Sequence, residues 1–186
     1  MKQKRASLSA AVTIRDATGN DFEAITAIYA HHVRFGLATF EEIAPSSNEM
    51  VRRFAEIRAQ KLPYLAAEAE YKVLGYAYAA LYRTRSAYRY TLEDSVYLHP
   101  DAAGFGIGRK LLSALIARCE DRGYRRMIAV IGDSANLPSI RLHERLGFAH
   151  ACLLPAVGFK FGRWVDSVLM QRPLGPGDAS LPEEPA

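Results

Sequence analysis

"HPDAAGFGIGRKLLSALIARC" (His99–Cys119) changes character half-way along. In its first half three glycines, Gly104, Gly106 and Gly108, alternate with bulkier residues. From Ile107 onward Leu111, Leu112, Leu115, Ile116 and Cys119 recur at helical spacing, with Arg109, Lys110, Arg118 and Glu120 between them. A glycine-rich turn therefore opens an amphipathic helix. The preceding "EDSVYLH" is short and β-prone, so the order is strand, glycine turn, helix. The first turn of a helix carries free N–H groups and a partial positive charge, which suit an anion. A tight strand-to-helix turn explains the glycines as well, and spacing alone leaves both readings open. No Gly-Lys-Ser/Thr follows, so this is not a Walker loop, and no acidic residue closes a next strand as in a dinucleotide fold.

The 186 residues suffice for one domain with a sizeable core. No apolar run reaches the ~18 residues of a membrane span, and "MKQKRASLSAAV" (1–12) has a basic tip without the apolar stretch of a signal peptide. Of the net charge of +4, Lys2, Lys4 and Arg5 supply three; so mildly basic a body argues against a nucleic-acid partner. Cys119 and Cys152 have no metal-ligand spacing, and His31, His32, His99 and His150 sit in no motif, so no metal site is expected. With no disulfide framework, a reducing, cytoplasmic location is expected.

Along the chain, "VTIRDA" (12–17) alternates like a first strand. Phe22, Ile25, Ile28, Tyr29 and Val33 mark one face of a helix, with Asn20 and Glu23 spaced as a capping box. Ser47 or Asn48 starts a second helix. Two strands, 64–70 and 72–83, meet at a tight turn; a third precedes the glycine loop; "RRMIAVIG" (125–132) reads as a buried strand. The helix in "SANLPSIRLHERLGF" (134–148) has Pro138 in its first turn and Gly147 at its end, and two more strands flank "KFG" (160–162). The expectation is an α/β protein of α+β type with a mixed sheet and helices on its faces. Residues 12–172 form the domain, 1–11 a flexible tail, and the Pro/Gly-rich 173–186 a disordered one.

This order, together with "TLEDSVYLHP" (91–100), "AVIGDSANLPSIRLHERLGF" (129–148) and "VGFKFGRWVD" (157–166), resembles the GNAT acyltransferase superfamily, in the branch of phosphinothricin and methionine sulfoximine N-acetyltransferases. The resemblance implies a mostly antiparallel sheet of about seven strands with about four flanking helices. It also implies a homodimer, acetyl-CoA as cosubstrate, and direct acetyl transfer in a ternary complex to the α-amino group of a small amino-acid-like substrate. A peptide N-terminal acetyltransferase or a non-catalytic CoA-binding module are the alternatives. The family's pyrophosphate-binding motif falls on Ala103, Gly104, Phe105, Gly106, Ile107 and Gly108, where Ala103 stands in place of the usual Arg or Gln.

The same resemblance assigns further residues. Glu93 takes the place of the base that must deprotonate the amine before it can attack. Adjacent strand residues face opposite sides, so Glu93 and its neighbour Asp94 should not share one cleft. His143 stands where many members carry a tyrosine that protonates the departing thiolate; whether it acts as acid or base stays open. Val96, Tyr97 and Leu98 would lend backbone groups to the pantetheine arm and the thioester carbonyl, with Asn136 and Arg109 further CoA contacts. Phe40, Arg83, Arg85, Tyr88 and Tyr90 fall on substrate-pocket positions. In an extended segment Arg83 and Arg85 would face one side, where guanidinium groups could pair with carboxylate or phosphinate oxygens.

Overall fold

A computed structural model describes residues 12–182; the expected tail 1–11 and residues 183–186 lie outside them. The elements run β1 (Thr13–Asp16), α1 (Phe22–Phe35), α2 (Ser47–Ala59), β2 (Tyr64–Ala69), β3 (Lys72–Leu81), β4 (Thr91–Leu98), α3 (Ile107–Glu120), β5 (Arg126–Gly132), α4 (Leu137–Glu144), β6 (Ala149–Lys160) and β7 (Arg163–Pro173). The strands form one sheet in the order β1-β2-β3-β4-β5-β7-β6. Every pairing is antiparallel except β4 with β5. This is the mixed sheet expected from the sequence, with the mostly antiparallel seven strands and four helices that the family resemblance implies.

Helix α1 buries the apolar positions picked out by its periodicity, Phe22, Ile25, Ile28, Tyr29 and Val33. Its entry differs from expectation. Asp21 Oδ2 accepts from the Thr18 N–H at 2.7 Å, and both Asp21 oxygens accept from Arg15; this pairing takes the place of an Asn20–Glu23 box. Likewise α2 is capped by Ser46, whose Oγ accepts from the Glu49 N–H at 3.2 Å, rather than by Ser47 or Asn48.

The two faces of the sheet carry different chemistry. On the α3 face Gly75 lies under Leu98 and Leu111, where a Cβ would come within 2.5 Å of the Leu98 side chain. On the α1 face tyrosines stack across three strands: Tyr64 on Tyr78 at 5.0 Å, and Tyr76 on Tyr97 at 5.4 Å between ring centres. The expected burial of β5 holds for Met127, Ala129 and Ile131 but not for Val130, which is exposed beside the gap described below.

The C-terminal segment departs from expectation. Leu174 is fully buried, its N–H donates to the Arg125 carbonyl at 3.0 Å, and the Arg125 guanidinium bonds the Leu181 carbonyl at 3.0 Å. Residues 174–182 are thus tied to the start of β5 rather than disordered; apolar burial and one arginine outweigh the Pro/Gly-rich composition. Leu174→Ala should cost about 3 kcal/mol, the usual penalty for emptying a fully buried leucine site, read as a lowered midpoint in urea unfolding.

Candidate active site

Strands β4 and β5 pair from Thr91 opposite Arg126 to Asp94 opposite Ala129, and no further. Beyond that point β4 follows β3 and β5 follows β7, so a gap opens in mid-sheet. The backbone phase of β4 decides what faces it. The Tyr82 N–H donates to the Thr91 carbonyl at 3.1 Å, and the His99 N–H to the Leu74 carbonyl at 2.9 Å. Odd-numbered residues of β4 therefore turn their backbone toward β3 and even-numbered ones toward the gap, because hydrogen-bonded pairs alternate along an antiparallel ladder. Val96 and Leu98 aim into the gap; the backbone of Tyr97 does not, which narrows the expectation for 96–98. The Leu98 carbonyl is taken by the His32 Nε2–H from α1 at 2.8 Å. Burial disfavours a charged ring and lowers the His32 pKa, against the opposing pull of this hydrogen bond. Sequence reading had set His32 aside, because nothing in the pattern signals a helix-to-strand bond of this kind.

The gap widens into a cleft of about 170 Å³ that reaches both faces of the sheet. Glu93, Val96, Tyr97, Asn136 and His143, all singled out in the sequence, line it; so do Asp94, Ser139 and Ala38, which were not. Asp94 was passed over on the argument that neighbours on a strand cannot share a cleft. They do here because the cleft passes through the sheet where it parts, with Glu93 on the α1 side and Asp94 on the α3–α4 side. Burial raises the Glu93 pKa, the nearby Asp94 charge adds to this, and Arg83 partly opposes it.

Asp94 and His143 form a buried pair, Oδ2 to Nε2 at 3.1 Å, with side chains 2% and 5% exposed. The other ring nitrogen, Nδ1, sits 2.8 Å from the Ser139 carbonyl and must donate to it. With Nδ1 committed as a donor, a neutral ring would turn its Nε2 lone pair toward a carboxylate. The contact is attractive only if one further proton lies between the two groups. Burial works against a charged ring, but the hydrogen bond and charge of Asp94 outweigh it, and the His143 pKa is raised. Asp94 Oδ1 is buried without a partner among the described residues. Cys119, on the same side, has its thiol pushed up to about 12 by burial and stays neutral.

At the glycine loop each glycine has its own reason. Gly104 and Gly106 have φ of 81° and 77°, the left-handed region that side chains resist. Gly106 is the residue before α3 and, as a glycine, offers no side chain to cap its first turn. Gly108 is needed for packing: a Cβ there would lie 3.3 Å from Leu142 and 3.5 Å from Leu98. Ile107 is fully buried, so its side chain belongs to the core and only its backbone can serve a ligand. Phe105 also packs on the core, and the methyl group of Ala103 has no donor to offer. Beside the loop a groove runs along Arg109, Lys110 and Ser113 toward Ile14 on β1. Asn136 caps α4, its Oδ1 accepting from the Ser139 N–H at 3.4 Å, while also lining the cleft.

The expected substrate residues are less well gathered. Strand β3 ends at Leu81, residues 82–85 are irregular, and Ser86–Tyr88 form a 3-10 turn; Arg83 and Arg85 therefore do not share a strand face. Arg83 stacks on the Tyr82 ring at 4.7 Å and lies close enough to Glu93 to lower its pKa. Arg85 and Tyr88 are exposed on this loop, and Tyr90 carries the guanidinium of Arg89 over its ring at 4.6 Å. None of these four lines the cleft. Phe40 turns its ring against Gly158 and Gly132 instead.

Residues 26–148 match the profile of the Acetyltransferase (GNAT) family. The chain belongs to this family. It is 59% identical over 173 residues to a phosphinothricin N-acetyltransferase of Alcaligenes faecalis, covering 93% of this chain and 88% of that one. It is 41% identical over 160 residues to an L-methionine sulfoximine/L-methionine sulfone acetyltransferase of Salmonella typhimurium, covering 86% and 93%. Among solved structures, the GNAT superfamily phosphinothricin acetyltransferase of Sinorhizobium meliloti in complex with AcCoA superposes with a TM-score of 0.91 at 50% identity, covering 94% of each chain. No described helix is long and apolar enough to cross a membrane, and no group of three or more potential metal ligands converges among the described residues.

The Asp94–His143 pair makes stability depend on pH with a defined sign. The folded-state pKa of His143 lies above the value of about 6.5 expected in the unfolded chain. Its stabilising contribution is complete below that pH and is lost as pH rises through the folded-state pKa. Asp94→Asn should flatten this part of the curve, measured as urea midpoints across about pH 6 to 9.

Proposed function

We propose that this GNAT protein transfers the acetyl group of acetyl-CoA to the α-amino group of a small amino-acid-like substrate of the phosphinothricin or methionine sulfoximine type, directly, in a ternary complex. The observation that carries the reading is the parting of β4 from β5, with Glu93 and the Asp94–His143 pair on opposite sides of one cleft. The residues present fit acetyl-CoA. The first turn of α3, entered through left-handed glycines, suits a pyrophosphate, and the Val96 backbone aims into the gap. When bound, acetyl-CoA supplies the acetyl thioester.

The chain's own groups then divide the work. Glu93, made a stronger base by burial and the nearby Asp94 charge, takes a proton from the substrate ammonium and frees the lone pair for attack. The Val96 N–H faces the place where charge develops on the thioester oxygen. Asp94 and His143 hold one proton between them on the α3–α4 side and donate it to the leaving sulfur, and the second proton shed by the amine nitrogen as the amide forms replaces it. This assigns His143 the acid role left open by the sequence, with Asp94 holding its ring. Arg83 and Arg85, on the loop beyond β3, are the cations available to a substrate carboxylate or phosphinate.

A homodimer is part of the proposal. The edge strand β6 leaves Leu153, Val157 and Phe159 more than half exposed, and Trp164 on β7 is 65% exposed against the Phe159 ring. So much apolar surface on one sheet edge suits a second copy.

Glu93→Gln should lower kcat on the order of a hundredfold or more while acetyl-CoA affinity, read by calorimetry, stays at the wild-type value. Thiol release measured with phosphinothricin, methionine sulfoximine, their carboxamides and short peptides tests the substrate class. Use of the free amino acids far above the amides is expected. Equal use of both would remove the anion-binding role, preference for peptides would favour N-terminal acetylation, and release with none would leave a CoA-binding module.

A further inference from the structure

The end of β6 buries a lysine. Lys160 is 1% exposed, and its Nζ donates to two main-chain carbonyls, Gly36 at 2.9 Å and Thr39 at 2.8 Å. Both carbonyls belong to the connection between α1 and α2. An ammonium is costly to bury, and here burial lowers its pKa against the pull of Glu42 and Glu41. A site that needed only volume would be filled by an apolar side chain.

The same connection is held from other directions. The Leu37 carbonyl passes so close over β5 that a Cβ on Gly132 would lie 2.1 Å from it, and the Phe40 ring would lie 2.4 Å from a Cβ on Gly158. On the far side the Tyr29 hydroxyl bonds Thr39 Oγ1 at 2.9 Å and donates to Glu41 at 2.9 Å, and Glu41 accepts from Arg53 at 2.6 Å. Within this bolted segment Ala38 lines the cleft beside Gly132 and Glu93. The segment is thus a wall of the cleft, and the Lys160 ammonium fixes its backbone at two carbonyls.

We propose that Lys160 is a positioning residue for the amino substrate: by clamping the Gly36 and Thr39 carbonyls it sets the wall against which the substrate lies, while the acetyl-CoA half of the cleft is built on β4 and α3. The two glycines facing it, Gly132 and Gly158, are required for the same seat. The inference rests on the acetyl-transfer reading above.

Lys160→Met keeps the volume and removes the donors. The expected result is a KM for phosphinothricin raised tenfold or more, an acetyl-CoA KM within twofold of wild type, and faster hydrogen exchange at Leu37–Phe40 but not in α3. Lys160→Arg, which keeps a donor, should recover part of the KM. If Lys160→Met does not fold, Gly158→Ala disturbs the same wall through Phe40 and should give the same split. A parallel rise in both KM values, or unchanged loop exchange with an unchanged phosphinothricin KM, would overturn the proposal. Wild-type protein that binds acetyl-CoA but acetylates no amine would bring down the transfer reading itself, and the substrate role with it. Loop exchange, read without substrate, tells that failure from failure of the clamp.

Discussion

Two neighbouring strands of one sheet cannot part without leaving main-chain groups unpaired, and most of this structure answers that constraint. After Asp94 and Ala129 the β4–β5 ladder ends, although both strands continue. Buried N–H and C=O groups need partners. His32 reaches across from α1 to take the Leu98 carbonyl. The rest stay turned toward a cleft, where an extended ligand can serve as the missing strand. Outside the gap each strand keeps a full partner, β4 on β3 and β5 on β7, so the opening does not loosen the sheet.

The same parting joins the two faces of the sheet. Strand alternation puts Glu93 and Asp94 on opposite sides, which in a closed sheet would keep them in separate environments. Here both reach one space, and their surroundings differ: Glu93 is half-buried, while Asp94 is buried against a ring whose other nitrogen is committed to a carbonyl. Two adjacent carboxyl groups thus meet different surroundings: Asp94 is hydrogen-bonded to the His143 ring, while burial raises the Glu93 pKa and Arg83 only partly opposes it.

How far the sequence is legible follows the range of the forces involved. Helical periodicity, strand alternation and the glycine turn are local signals, and they identify α1, α3, β4 and the loop at 103–108. Glu93 and His143 became visible through family motifs whose spacing is fixed. Contacts between distant segments left no such trace. The buried Lys160, the His32 bond to β4 and the Asp94 partner of His143 each depend on which elements meet, and single-residue identity does not report that. Composition misled at the C-terminus, where one leucine and one arginine anchor a segment that reads as a tail. Alternation does not reach Arg83 and Arg85, because β3 ends at Leu81 and the chain beyond it is irregular up to the turn at Ser86–Tyr88.

The position of β7 has a consequence for how the chain is made. This strand, residues 163–173, lies between β5 and β6, both of which precede it in the sequence. Until it leaves the ribosome, one edge of β5 lacks its neighbour, and β6 has no strand to join. The walls at Gly132, Gly158 and Lys160 cannot close, and the first half of the sheet waits beside an unfinished second half. Long-range pairing of this kind is slow and leaves apolar edges open in the meantime. The cleft walls at Gly132 and Gly158 thus draw on a strand that comes after them in the chain, so their seats cannot be complete before residue 173 has been made.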